Sequence, residues 1–191
     1  MKLPEVVHLV FSTLESLGIP SMLVGSFASS SYGPARYTQD ADLIVRLNRN
    51  HIDSFVQAFS GKFFVDRGLI EQALLRGSSF NIIHFQTTFK VDFFILQKDR
   101  YSEEAFSRRV QRQLDPDTGL TASVQTPEDV VLSKLEWYRR GGEISDSQWR
   151  DVINILKAQA DRLDTNYLRK WSEELGLSHL LQRAREEAEA T

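Results

Sequence analysis

Apolar residues recur at helical spacing near the start of the sequence, over residues 4–17. This spacing predicts an amphipathic helix, and Gly18 directly after it is a typical helix end. The next apolar run, Met22-Leu23-Val24, is short and stops at Gly25, as expected for a buried strand. The small and polar residues 26–32 then predict a short helix that begins directly at this glycine.

Residues 40–47 alternate between apolar and other side chains, which predicts a strand with one buried face. The apolar face consists of Ala41, Leu43, Val45 and Leu47. The opposite face begins with Asp40 and Asp42, in the run Thr-Gln-Asp-Ala-Asp-Leu-Ile-Val. Because strand side chains alternate with a period of two, both carboxylates leave this strand on the same side.

Two further apolar runs, residues 79–85 and 89–96, are joined by Gln86-Thr87-Thr88 and predict an antiparallel hairpin. Beyond Asp92, both faces of the second run are apolar, which predicts a central strand of the sheet. A carboxylate on a well-packed sheet is unusual, because removing its charge from water is unfavourable. Asp92 is therefore a candidate functional residue. His84, on the first run, is predicted to be a hydrogen-bonded core histidine.

The remaining periodic segments are helical. Residues 51–59 have helical spacing, with Asn50 as the predicted N-cap. From residue 126 onwards only helices are predicted, and the first starts at Thr126-Pro127, which has the residue types of a helix N-terminus. The later helices are expected at 127–140, 147–160, about 165–175 and 178–190. We therefore predict an α+β protein in which a mixed β-sheet is flanked by helices, with an α/β module over 1–125 and a helical module over 126–191.

Composition excludes several classes of function. The chain has 191 residues, of which 41% are hydrophobic and 26% are charged, as in ordinary globular proteins. Its net charge of −3 provides no overall basic field for binding nucleic acid. It has no cysteine, so disulfides, thiolate metal sites and cysteine nucleophiles are excluded. No apolar stretch approaches the roughly 20 residues of a membrane span, and we expect a cytoplasmic protein with no membrane partner.

The acidic pair indicates a cation. Carboxylates held side by side at the end of a buried strand, as expected for Asp40 and Asp42, repel each other unless a positive charge lies between them. Magnesium prefers carboxylate oxygens, and two magnesium ions can hold the attacking and leaving oxygens of a nucleotidyl transfer. Asp92, on a neighbouring strand, adds a third carboxylate. Gly25 allows a sharp turn that presents backbone N–H groups to a phosphate, and Ser26 adds a hydroxyl donor.

These residues follow a recognisable order, in which Gly-Ser at a helix start precedes Asp-x-Asp and then a third acid. At these positions the chain resembles the DNA-polymerase-β-like nucleotidyltransferase superfamily. More narrowly, the stretch from Gly25 to Val45 resembles the bacterial abortive-infection nucleotidyltransferase toxins and related uncharacterised bacterial proteins. Members of that group carry a lysine and then an aspartate on downstream helices, and Lys134 and Asp151 occupy those places. The resemblance covers roughly residues 22–157.

The resemblance implies an enzyme that moves a nucleoside monophosphate from a nucleoside triphosphate such as ATP to an acceptor hydroxyl, with two magnesium ions as cofactors. The implied catalytic and metal-binding residues are Asp40, Asp42 and Asp92. The implied nucleotide-binding residues are Gly25, Ser26, Arg36 and Lys134, with Asp151 in a supporting role. In a toxin-antitoxin or phage-defence setting, the acceptor would be tRNA or a protein, and an antitoxin protein would be a further partner.

Several single residues have a second interpretation. Arg36 either binds triphosphate or pairs with a surface acid, and Lys134 is either a phosphate ligand or a solvated lysine. Asp151 lies off the apolar stripe of its helix, so it either supports substrate binding or orients Lys134 or Arg139.

The function also has alternatives. An antibiotic nucleotidyltransferase would use a small hydroxylated drug as its acceptor and would have an acidic acceptor pocket. A tRNA acceptor would instead require basic residues, such as Arg108, Arg109 and Arg112, at the mouth of the site. A non-catalytic, antitoxin-like partner that only keeps the fold is a further alternative, which the intact set of three carboxylates argues against.

Overall fold

A computed structural model describes residues 2–34, 38, 40–115 and 119–190, of which Asp115 is described by its backbone only. Within these residues the strands are β1 Ser21–Val24, β2 Asp40–Val45, β3 Phe63–Phe64, β4 Ser79–His84, β5 Lys90–Ile95, β6 Val110–Asp115 and β7 Leu120–Val124. The α-helices are α1 Leu3–Ser16, α2 Gly25–Ser30, α3 Ile52–Phe59, α4 Arg67–Arg76, α5 Arg100–Ser107, α6 Pro127–Arg140, α7 Asp146–Gln159, α8 Thr165–Glu174 and α9 Ser178–Ala190. Short 3₁₀ turns occur at Arg49–His51 and Ala160–Arg162.

The described strands form one mixed sheet in the order β3-β4-β5-β2-β1-β7-β6. Strand β2 is central, antiparallel to β1 and parallel to β5, while β7 joins the other side of β1 in a parallel pairing. The hairpin of β4 and β5 is antiparallel, and β5 is paired on both sides. The predicted fold class, the hairpin and the central position of β5 are therefore confirmed.

The apolar face of the sheet is buried beneath α3. Residues 41, 43 and 45 of β2 are buried and alternate with half-buried positions, as the sequence pattern predicts. On β5, Phe93 is fully buried and its ring lies 5.0 Å from Phe80 and 5.5 Å from Phe55. Because side chains alternate along each strand, this packing leaves the opposite face of β2 and β5 to Asp42 and Asp92.

The C-terminal helices share the same cluster of buried side chains as the sheet. Leu43 of β2 belongs to this cluster together with Val131 of α6 and Leu168 of α8. The division of the chain at residue 126 remains a prediction, although the sequence change there does mark the start of α6. The Thr126 side chain caps that helix by accepting a hydrogen bond from the Asp129 backbone N–H, as predicted.

A buried polar network joins the first turn of α6 to α8 and to the segment before β6. The Tyr167 hydroxyl donates to Asp129 at 2.7 Å, and Arg108 donates to Glu128 at 3.1 Å while its guanidinium lies 3.6 Å from the centre of the Tyr167 ring. Asp129 is fully buried, and burial raises its pKa even though Tyr167 and Thr126 donate hydrogen bonds to it.

Two local features differ from the sequence-based expectation. The N-cap near residue 50 is Asn48, not Asn50, because a 3₁₀ turn precedes α3 and the Asn48 side chain accepts a hydrogen bond from the Asn50 N–H at 3.0 Å. No element was predicted between residues 100 and 124, yet this segment contains α5, β6 and β7. No helix in the described part of the chain is long and apolar enough to cross a membrane.

The aromatic cluster beneath β5 gives a test of the core. Phe93→Ala should lower the free energy of unfolding by about 3–5 kcal/mol, because it removes a fully buried ring and leaves a cavity. Phe64→Ala is the control, since 52% of that side chain is exposed and its loss should change stability by less than about 1 kcal/mol. Urea unfolding measures both, and equal losses in the two variants would contradict this core.

Candidate active site

The neighbouring strands β1, β2 and β5 bring several predicted site residues together at one end of these strands. Asp42 is the register partner of Val24, the last residue of β1, and also of Asp92 on the parallel strand β5. Gly25 directly follows Val24 and begins α2. The turn and the two carboxylates therefore lie side by side, although they are far apart in the sequence.

The backbone at Gly25 passes unusually close to the Asp42 carboxylate. Gly25 has φ +66°, a conformation that residues with a side chain rarely adopt. A Cβ added at this position would overlap Asp42 Oδ2 and would lie 3.0 Å from Asp42 Cγ. Beyond the turn, the Ser29 and Ser30 hydroxyls both donate to the Ser26 carbonyl, at 3.0 and 2.9 Å, which holds the first turn of α2 together.

The pKa of Asp42 is raised by burial and by the neighbouring carboxylates. Burial is the main cause and the charges of Asp40 and Asp92 add to it, so the pKa of Asp42 rises to about 6 although Lys134 and Lys90 oppose the shift. Asp40 is held in place by the Thr38 hydroxyl, which donates to Asp40 Oδ1 at 3.0 Å. The repulsion that the sequence predicts within the acidic pair therefore contributes to the raised pKa of Asp42.

Lys90 belongs to this site and was not among the sequence-based candidates. It begins β5 beside Asp40 in the register, and its Nζ donates to Asp92 Oδ2 at 2.8 Å. This hydrogen bond raises the pKa of Lys90, and the charges of Asp92, Asp40 and Asp42 raise it further. The signal was present in the sequence, because Lys90 precedes Asp92 by two residues and so leaves the strand on the same side.

Lys134 is a buried residue rather than a solvated one. Only 4% of its side chain is exposed, and its Nζ lies 2.8 Å from Asp151 Oδ2 on α7. The Ser29 hydroxyl of α2 also lies 3.2 Å from that oxygen. Asp151 thus contacts Lys134, one of its two expected partners, and the pair connects α6 and α7 to the helix that follows Gly25.

The other basic candidates lie elsewhere. Arg36 falls outside the described residues. Arg108 is bound in the network of Glu128, Asp129 and Tyr167, and the Arg112 guanidinium lies 4.9 Å from the centre of the Tyr32 ring. Arg109 donates to the carbonyl of Phe106 and lines a cavity of about 490 Å³, which lies at the opposite end of β1 from Gly25.

The carboxylate oxygens at this end of the strands are ligands of the kind that a hard divalent cation prefers. Asp40, Asp42 and Asp92 offer only oxygen atoms, and the charges of Asp40 and Asp92 add to the effect of burial in raising the pKa of Asp42. As placed, no three acidic or histidine side chains in the described ranges converge tightly enough to enclose a metal ion. Magnesium usually binds one or two carboxylates, and water and substrate phosphates complete its coordination. The two-ion site remains a prediction.

Gly25→Ala tests the close approach of the turn to Asp42. Gly18 is a matched control, because its φ of +65° is nearly the same and a Cβ there would meet nothing within 4 Å. We expect Gly18→Ala to cost about 1 kcal/mol from backbone strain alone, and Gly25→Ala to cost about 1–3 kcal/mol more. Urea unfolding measures the difference, and equal costs would show that the turn does not pack against the carboxylate.

Asp42→Asn tests the charge repulsion. In wild-type protein with a chelator present, the contribution of Asp42 to stability should fall as the pH rises from about 4 to 6, because the folded state holds the Asp42 proton up to a higher pH than the unfolded chain. Asn cannot ionise, so the variant should be more stable than wild type at pH 7.5, by about 1–2 kcal/mol after allowance for solvent screening, and equal to it near pH 4. Urea unfolding at several pH values checks this, and a variant that is less stable at pH 7.5 would contradict it.

Comparison with solved structures identifies the fold. No model of a known protein family matches this sequence, and no curated protein sequence matches it significantly. An antigenic nucleotidyltransferase-like protein from Paracoccidioides brasiliensis aligns over 96% of this chain and 92% of its own, with 17% identity and a TM-score of 0.58. The antibiotic-resistance factor ANT(2'')-Ia aligns over 94% of this chain and 97% of its own, with 11% identity and a TM-score of 0.55. The chain therefore has the fold of nucleotidyltransferases over nearly its whole length.

Proposed function

We propose that this protein is a metal-dependent nucleotidyltransferase, which moves a nucleoside monophosphate from a nucleoside triphosphate to an acceptor hydroxyl. One observation carries the proposal. Asp42 is aligned with Asp92 across β2 and β5, beside the Gly25 turn, in a chain whose fold is that of nucleotidyltransferases. Neither a stable core nor a surface strand requires partly buried carboxylates aligned on neighbouring strands, since their mutual repulsion is unfavourable.

In this proposal Asp40, Asp42 and Asp92 hold two magnesium ions. These carboxylates would hold the ions, which would supply positive charge to offset that of the triphosphate. The protein contributes rigid placement of the oxygen ligands. Asp40 is fixed by Thr38, and the orientation of Asp42 is restricted by the adjacent Gly25 backbone. Such placement is the main protein contribution that nucleotidyl transfer requires.

The proposed nucleotide-binding groups are Gly25, Ser26, Arg36 and Lys134. The backbone and hydroxyl of Gly25 and Ser26 would donate hydrogen bonds to the phosphates. Lys134 would act as a fixed positive charge, since Asp151 holds its ammonium group and its charge already acts on Asp42. Asp151 would therefore be a positioning residue for Lys134, with no direct contact to the nucleotide.

The proposed reaction is an in-line substitution at the α-phosphorus of the nucleoside triphosphate. The acceptor oxygen forms a new bond to phosphorus, the bond to the leaving pyrophosphate breaks, and the hydroxyl proton passes to a base. Asp92 is the proposed base, because its partly buried carboxylate is the register partner of Asp42 and lies on the strand next to it.

Two classes of acceptor remain in the proposal. The first is tRNA or a protein, in a toxin-antitoxin or phage-defence setting with an antitoxin partner. The second is a small hydroxylated antibiotic, and the full-length structural likeness to an antibiotic-resistance factor favours including it. Arg108 and Arg109, which a tRNA acceptor was expected to use, take part in contacts within the protein instead. Those residues therefore lend no support to tRNA.

A labelling experiment tests the activity and identifies the acceptor. Purified protein is incubated with each α-labelled nucleoside triphosphate and magnesium, together with total cellular RNA, total protein, or a panel of aminoglycosides. We expect label in one fraction with one preferred nucleotide. Asp42→Asn should reduce transfer by at least about 10³-fold, because it removes a charge that stabilises the transition state. Asp161→Asn, at an exposed position in the 3₁₀ turn Ala160–Arg162, should retain full activity.

Two results would overturn the enzyme assignment. One is full activity in Asp42→Asn, which would place the chemistry elsewhere. The other is the absence of transfer to every acceptor together with the absence of magnesium-nucleotide binding in calorimetry. That second result would favour the non-catalytic, antitoxin-like alternative, in which the fold serves only as a binding partner.

A further inference from the structure

The ion pair between Lys90 and Asp92 lies within the proposed metal site. Lys90 Nζ is 2.8 Å from Asp92 Oδ2, and 43% of the lysine side chain is exposed compared with 19% of the aspartate side chain. Lys90 is also beside Asp40 in the register of β2 and β5, so its ammonium group experiences the charges of Asp40, Asp42 and Asp92. The positively charged Lys90 side chain is thus bound to Asp92, one of the three carboxylates.

A divalent cation and this ammonium group would compete for the same carboxylate. A cation coordinated by Asp92 would lie within a few ångströms of Lys90 Nζ, where two positive charges repel strongly because the surroundings screen them less than bulk water does. Three carboxylates outnumber the single ammonium group, so a negative excess remains to attract the cation. Binding at Asp92 therefore requires that Lys90 move away.

Lys90 can move away from Asp92, whereas Lys134 cannot move away from Asp151. Lys134 is 4% exposed and paired with Asp151, so moving it would strand both charges inside the protein. Lys90 has a long flexible side chain that is nearly half exposed, and its ammonium group can exchange Asp92 for water at little cost. The two lysines therefore have different roles, one fixed and one replaceable.

We propose that Lys90 is a built-in counter-ion, which holds Asp92 while the metal site is empty and which a divalent cation displaces from that carboxylate. Lys90 then acts as a positioning residue that sets the cation affinity of the site. The inference rests on the proposed function, because it takes Asp92 to be a metal ligand.

Manganese binding without nucleotide tests the competition. Electron paramagnetic resonance of free Mn²⁺ at low ionic strength gives the dissociation constant for wild type, Lys90→Met and Lys90→Arg. Removing the charge should tighten Mn²⁺ binding by about threefold to tenfold, whereas Lys90→Arg keeps the charge and should remain within about twofold of wild type. Unchanged or weaker binding in Lys90→Met would overturn the proposal.

Thermal unfolding in a chelator tests the contact itself. Lys90→Met should lower Tm by about 2–4 °C in the wild-type background, because it removes the positive charge that contacts Asp92. In an Asp92→Asn background the same substitution should have less than half that effect, since its partner is already neutral. An equal shift in both backgrounds would show that Lys90 does not act through Asp92.

The results also separate this inference from the proposed function. If nucleotide transfer is measurable while Lys90→Met binds Mn²⁺ no more tightly than wild type, only the role of Lys90 fails. If no variant binds Mn²⁺ even with a nucleoside triphosphate present, the metal-dependent function fails and the inference fails with it.

Discussion

The alignment of β1, β2 and β5 determines where every candidate catalytic group lies. Asp42 is the register partner of Val24 on one side and of Asp92 on the other, and Gly25 follows directly after Val24. A slip of one residue in β2 would exchange its two faces, turning Asp42 into the core and Leu43 out of it. Packing of the apolar face, including the fully buried Phe93, opposes such a slip and so fixes the carboxylates indirectly.

This alignment places negative charges close together, and the surrounding residues offset part of the repulsion. Two lysines contribute, in different ways. Lys134 is held in the interior by Asp151, whereas Lys90 is half exposed and contacts Asp92 directly. Even so, burial and, to a smaller extent, the charges of Asp40 and Asp92 keep the pKa of Asp42 raised to about 6. A site that retains unbalanced negative charge in the folded protein is suited to binding cations, and this is the physical basis of the proposed nucleotidyl transfer.

Local sequence patterns predicted the parts of the fold and site that depend on periodicity. The alternation in residues 40–47 and the hairpin after residue 79 predicted which faces carry Asp40, Asp42 and Asp92, because two-residue periodicity is a local property. The burial of Lys134 was not predictable, since it depends on a partner in the next helix. Strand β7 is a different case, because the alternation from Leu120 to Val124 is a local strand signal that was overlooked, and only its place beside β1 is set by long-range pairing.

The roles of individual charged residues were the hardest to predict. Arg108 resembles a nucleic-acid-binding residue in the sequence, yet in the structure it pairs with Glu128 and stacks on Tyr167. Lys90 shows the opposite case, since it appeared to be an ordinary strand lysine and lies at the centre of the proposed site. In both cases the charge was visible in the sequence, but its partner was defined only by the tertiary fold.

The most direct test of the central claim is a crystal structure with Mn²⁺ and a non-hydrolysable nucleoside triphosphate, in which anomalous scattering locates the metal. The account predicts anomalous peaks within coordination distance of Asp40 and Asp42, with the triphosphate beside the turn at Gly25 and with Lys90 Nζ no longer bound to Asp92. Nucleotide bound elsewhere, or bound beside Gly25 with no metal on either carboxylate of β2, would contradict it.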